Sequence, residues 1–95
     1  MNQFIEFLEL DMSDELIIVY GTNWCGDCRR TQRFLQQNKI DYHFINIDAD
    51  KKGEQFVIKA NQGMRSVPTI VFPDGSILVE PSNLQLADKL EIQHN

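Results

Sequence analysis

The stretch Leu16-Ile17-Ile18-Val19-Tyr20-Gly21-Thr22-Asn23-Trp24-Cys25-Gly26-Asp27-Cys28 decides the reading of this chain. A short apolar, β-branched run ends at a glycine, as a buried strand does. Two cysteines with two residues between them follow at once. Where a strand ends and a helix begins, that spacing puts both thiols within one helical turn. They can then close a small disulfide ring without refolding the chain. Unpaired N–H groups give a helix N-terminus partial positive charge, which favours a thiolate over a thiol. A thiolate is a nucleophile, and a second thiol one turn away can release whatever the first attacks. Cys-x-x-Cys beside a βαβ pattern is a redox signature.

Plainer readings of the pair are weaker. Cys25 and Cys28 are the only cysteines. A disulfide across so short a loop removes little entropy from the unfolded chain, so it would staple weakly. A zinc site needs two more ligands, and only His43 and His94 are available, neither at finger spacing. No metal site is expected.

Length and charge bound the alternatives. Ninety-five residues make one domain with a modest core. Apolar content of 42% and charged content of 24% fit a globular protein rather than a disordered one. A net charge of −5 lacks the basic footprint of a general nucleic-acid binder. No apolar run reaches membrane-spanning length. Residues 1–6 carry no base and do not read as a secretory signal. A free dithiol without an export signal points to the reducing cytoplasm.

Working outward from the cysteines, residues 15–20 read as the first strand. Arg29 to Gln37 reads as a helix with Thr31, Phe34 and Leu35 facing the core, and Asn38 as its left-handed stop. Asp41 to Ile47 is a second strand. Lys51 to Ala60 is a second helix with Phe56, Val57 and Ala60 on its apolar side, ended by Asn61-Gln62-Gly63. Thr69 to Phe72 and Ile77 to Glu80 form a hairpin around the turn Pro73-Asp74-Gly75-Ser76. Ser82-x-x-Gln85 is a capping box that opens a last helix with Leu86, Ala87 and Leu90 inward. The order is β-α-β-α-β-β-α, an α/β class. The first two strands are parallel through a right-handed crossover, and the last two are antiparallel. Residues 1–13 form an N-terminal extension before a domain of residues 14–95. Phe4, Phe7 and Leu8 fit a helical stripe, and the alternation Phe4, Glu6, Leu8 fits an extended arm nearly as well.

This order resembles the thioredoxin fold in its compact, glutaredoxin-like form, a four-stranded mixed sheet flanked by helices. The resemblance rests on Tyr20 to Cys28, on Arg65-Ser66-Val67-Pro68-Thr69 and on Asp74-Gly75-Ser76. Among the subgroups it resembles the mycoredoxin-type glutaredoxins, which typically pair Trp-Cys-Gly-x-Cys with Asn-x-Gly-x-Arg-(Ser/Thr)-Val-Pro-Thr and a later Pro-Ser. Here those stretches stand as Asn61-Gln62-Gly63-Met64-Arg65-Ser66-Val67-Pro68-Thr69 and Pro81-Ser82.

The resemblance implies a thiol–disulfide oxidoreductase that reduces mixed disulfides between proteins and a small thiol. It implies Cys25 as nucleophile, Cys28 as resolving thiol and a cis Val67–Pro68 bond facing them. Cis is seen at only about 5–6% of X–Pro bonds, so spacing alone would not suggest it. The small thiol's groove would lie between Trp24 and the segment Glu80 to Asn83, with its thiol-bearing part paired to the backbone of Val67. Ser82 and Asn83 open the last helix, where free N–H groups suit a carboxylate. Arg65 is the expected positive contact, unless a neighbouring acid takes it. Arg29 and Arg30 add positive potential or lie solvated. Asp27 acts against a thiolate.

The stretch Glu80-Pro81-Ser82-Asn83 departs from the Gly-Gly-x-Asp-Asp pattern of many glutathione users, and an inward Glu80 would repel an anionic thiol. A mycothiol-like thiol is therefore expected ahead of glutathione as co-substrate, with no permanently bound cofactor. Expected partners are disulfide-bearing proteins and the small thiol, without nucleic acid or membrane, and the chain is expected to act as a monomer. Two other classes remain. One is a thioredoxin-type protein disulfide reductase recycled by a flavin reductase. The other is an iron–sulfur cluster carrier, against which the second cysteine argues.

Overall fold

The computed structural model describes residues 16–93. The extension of residues 1–13 and His94 lie outside the described residues. The elements are β1 (Ile17–Gly21), α1 (Gly26–Gln37), β2 (Tyr42–Asn46), α2 (Lys51–Ala60), β3 (Thr69–Val71), β4 (Ile77–Val79) and α3 (Asn83–Lys89). This is the β-α-β-α-β-β-α order that the sequence predicts.

The sheet order is β2-β1-β3-β4. β1 runs parallel to β2, with Ile17 opposite Tyr42 and Gly21 opposite Asn46. β3 is antiparallel to β1, and β4 to β3. The parallel pair therefore ends at one edge of the sheet, where the loops after Gly21 and Asn46 emerge side by side. In α/β sheets that edge is where ligands bind.

Alternation along β1 sends Ile17 and Val19 into the core while Ile18 and Tyr20 are half-buried. Leu35 from α1, Ile70, Phe72 and Leu86 from α3 complete the central cluster. Two caps hold helix ends in register. Asp50 Oδ1 accepts from the Gly53 N–H at 2.8 Å at the start of α2. Ser82 and Gln85 make both bonds of the capping box at the start of α3. Such a cap contributes about 1 kcal/mol. In the hairpin turn Gly75 takes φ +89°, and Asp74 Oδ1 accepts from the Ser76 N–H at 2.9 Å. Among the described residues no helix is long and apolar enough to cross a membrane.

Four local expectations are corrected. α1 begins at Gly26, not at Arg29, so Cys28 lies inside its first turn. Asn38 is not left-handed: its φ is −95°, and Lys39 carries the positive φ of 58°. The Asn38 side-chain amide instead donates to the Phe34 carbonyl at 2.9 Å, closing the helix from the side. Phe56 does not join the core. The inward line of α2 runs through Gly53 and Val57, and Phe56, 36% exposed, stacks on Tyr20 with ring centres 4.8 Å apart. Glu80 is not part of β4. It turns to φ +51° directly after Val79, and Pro81 is buried behind it. The exposed side chains of Ile77 and Val79 thus sit on a border strand of three residues.

Candidate active site

Cys25 is the N-cap of α1, in extended conformation. Its Sγ accepts from the Cys28 backbone N–H at 3.2 Å, taking the role an oxygen plays at most caps. The cap satisfies one of the orphan donors of the helix start and aims them at sulfur. Cys25 is half-buried, whereas Cys28 is 0% exposed, and both are free thiols. Burial pushes the Cys28 thiol up to about 12, and its hydrogen bond with Cys25 adds to the rise. The backbone of Thr22 pulls the other way. Gly21 is required here by space, since a Cβ on it would stand 2.7 Å from Cys28 Sγ.

Trp24 stands out from the rim, 66% exposed. Its Nε1 donates to Asp48 Oδ2 at 2.8 Å. The other oxygen of Asp48 accepts from Arg65 Nη2, and Arg65 Nε donates to Glu54 Oε2 at 2.6 Å. The Arg65 guanidinium, then the Trp24 indole, hold the Asp48 carboxyl below its usual range. Glu54 and Asp48 in turn raise Arg65. Two predicted residues, Trp24 and Arg65, are thus joined through Asp48, which sequence reasoning did not single out. A signal was available: Asp48 follows the end of a strand parallel to the one that carries the cysteines.

The Val67–Pro68 bond is cis. Pro68 is buried and Val67 half-buried. The Pro68 carbonyl accepts from the Glu80 N–H at 2.8 Å, tying this bend to the segment before α3. Ser82 caps α3, and the Asn83 side chain accepts from Arg30 Nη1 at 2.6 Å. Arg30 Nη2 also donates to the Pro81 carbonyl at 2.9 Å and lies 3.7 Å from Asp27. Arg30 is therefore a clasp between α1 and the Glu80–Asn83 segment, a role the sequence did not reveal. Arg29 turns back to the Asn23 carbonyl at 3.1 Å.

The arrangement offers one accessible sulfur at a helix N-terminus and a second, protonated and buried, one turn below it. A disulfide sulfur can reach the first, and the second can displace it afterwards.

A family model described as glutaredoxin matches residues 17–77. A Mycobacterium tuberculosis protein that carries a glutaredoxin name is 39% identical over 74 residues, covering 78% of this chain and 88% of its own length. Mycoredoxin 1 of Corynebacterium glutamicum is 31% identical over 75 residues, covering 79% of this chain and 92% of its own. The crystal structure of a glutaredoxin from Archaeoglobus fulgidus superposes with a TM-score of 0.66 at 24% identity, over 85% of this chain and 91% of that one.

Proposed function

Because the chain belongs to the glutaredoxin family, and so to the thiol–disulfide oxidoreductases, we propose that it reduces mixed disulfides between proteins and a small thiol through Cys25 and Cys28. The observation that carries this reading is the cap: an accessible Cys25 Sγ receives the N–H of a fully buried Cys28 at 3.2 Å.

The steps balance as follows. The Cys25 thiolate attacks the small thiol's sulfur in the mixed disulfide. A new S–S bond forms there as the old one breaks, and the protein leaves as a thiolate that takes a proton from water. A second small thiol then attacks the bound small thiol's sulfur, forming the small-thiol disulfide and freeing the Cys25 thiolate; or Cys28, after losing its proton, attacks Cys25 Sγ, forming the Cys25–Cys28 disulfide and freeing the small thiol. By either route two electrons have passed to the target. The raised Cys28 keeps its proton until attack, which leaves time for a second small thiol to resolve the intermediate instead.

The Trp24 rim, the Val67–Pro68 bend and the Ser82–Asn83 helix start are the proposed walls of the small-thiol groove. The bond from Glu80 to Pro68 and the Arg30 clasp support that reading, since they hold the two sides in one frame. A mycothiol-like co-substrate is favoured over glutathione by the likeness to mycoredoxin 1. Activity as a monomer in the cytoplasm, where a dithiol is kept reduced, completes the proposal.

The test is a recycling assay of the oxidised protein with mycothiol, with glutathione and with a thioredoxin reductase. Recycling by a small thiol is the expected result, with mycothiol ahead. Recycling by the reductase alone would replace this reading with that of a thioredoxin-type protein disulfide reductase.

A further inference from the structure

Asp48 and Glu54 close on one arginine at the mouth of the site. We propose that these two carboxylates are specificity determinants: by neutralising Arg65 beside Trp24 they make the groove select against anionic thiols and accept uncharged or cationic ones. The inference rests on the mixed-disulfide reading above.

The geometry supplies the reason. Arg65 Nη2 is bonded to Asp48, and Arg65 Nε to Glu54 at 2.6 Å. The three side chains sum to one negative charge, although Arg65 taken alone would present a positive one. The same Asp48 holds the Trp24 indole at 2.8 Å, so this charge sits directly beside the exposed rim. All three side chains are partly open to solvent, between 27% and 41% exposed. Exposed ion pairs add little to stability. The field they set at the mouth is their larger consequence. Arg30, hydrogen-bonded to the uncharged oxygens of Asn83 and Pro81, lies 3.7 Å from Asp27, whose charge offsets its own.

Three two-carbon thiols that differ only in charge make the probe: 2-mercaptoethanesulfonate, 2-mercaptoethanol and cysteamine. Each is placed as a mixed disulfide on the same reporter peptide. Single-turnover release of the peptide thiol by the reduced full-length protein is then followed. The dithiol becomes a disulfide as the peptide thiol and the small thiol are both released. In the wild type the anionic disulfide is expected to react at least about fivefold more slowly than the neutral one, and the cationic one fastest. Added salt narrows the gap. Glu54→Gln leaves the Trp24 bond intact, and Asp48→Asn keeps an acceptor oxygen for the indole. Each is expected to raise the anionic-to-neutral ratio of second-order rates about fivefold, or about 1 kcal/mol. Glu54→Asp keeps the wild-type ratio, which a packing role for the longer side chain would not. An unchanged ratio in both neutralised variants, or an anionic disulfide that is the fastest in the wild type, overturns the inference. Failure to release thiol from any of the three sinks the mixed-disulfide reading beneath it.

Discussion

Arg30 and Asn83 stand 53 residues apart in the chain and are joined by a 2.6 Å hydrogen bond, with a second nitrogen of Arg30 on the Pro81 carbonyl at 2.9 Å. The fork fixes the start of the last helix against the helix that carries the cysteines. Arg30→Ala is expected to lower stability by about 1 kcal/mol, the scale of charge-assisted bonds that remain partly open to water. It should also raise KM for the small thiol more than it lowers kcat. Arg30→Lys is not expected to rescue, because an ammonium cannot hold both acceptors as a planar fork does. Denaturant midpoints at constant m-value and steady-state kinetics together check this. An unchanged KM would detach the Glu80–Asn83 segment from the groove.

Cys25→Ser is expected to abolish turnover, since the attacking sulfur is gone. Cys28→Ser is expected to keep part of the activity on small mixed disulfides, where a free thiol resolves the intermediate, and to lose activity on protein disulfides. Iodoacetamide should label Cys25 well before the fully buried Cys28. Activity retained by Cys25→Ser and lost in Cys28→Ser would reverse the roles, and equal labelling would contradict the placing of Cys25 at the helix start with Cys28 buried below it.

The Cys28 thiol supplies a pH test. It titrates near 9.0 when unperturbed and is pushed up to about 12 in the fold, first by burial and then by its bond with Cys25. The native state therefore binds the proton more tightly than the unfolded chain. Its contribution is fully present below about pH 9 and is lost as pH rises towards about 12. Tyr20 is raised too, chiefly by burial, and acts in the same direction at higher pH. The difference between wild type and Cys28→Ser isolates the cysteine. Wild-type stability under reducing conditions should fall more steeply between pH 9 and 11. Parallel curves would contradict the buried, protonated thiol.

Gly21→Ala tests the floor of the site. The added methyl would meet Cys28 Sγ at 2.7 Å and the Phe44 ring at 3.0 Å. The glycine belongs to a strand paired on both sides, so neither neighbour can retreat easily. Overpacking of this kind costs about 1–3 kcal/mol. A lower melting temperature is expected, together with easier alkylation of a displaced Cys28. A variant as stable as wild type, with Cys28 still protected, would show that the strand yields.

The order of all seven elements was legible because each carries its own local signal. β1 shows alternation, the turn at Asp74-Gly75 its chemistry, and α3 its capping box. What went astray depended on competition or distance. Asn38 has the propensity for a left-handed stop, but its side chain found the Phe34 carbonyl first. Phe56 looked inward beside Val57, yet one residue on a helix turns the side chain by about 100° and carried it to the surface against Tyr20. The cysteines were legible as a motif. The partners of Arg65 were not, because Asp48 and Glu54 lie 17 and 11 residues away and only the pairing of strands and helices brings them in. Arg30 gave no sign of its clasp for the same reason.

The border strand β4 has a bearing on how this molecule meets other chains. Its ladder is three residues long, and Glu80 turns out of line immediately afterwards, with Pro81 next in the chain. An unfolded chain brings exposed backbone in search of a partner strand. A border so short, followed by a residue with left-handed backbone and a proline without an N–H, gives it no length on which to grow. This border of the sheet thus offers an incoming strand little length on which to add, although Ile77 and Val79 are apolar and exposed on it.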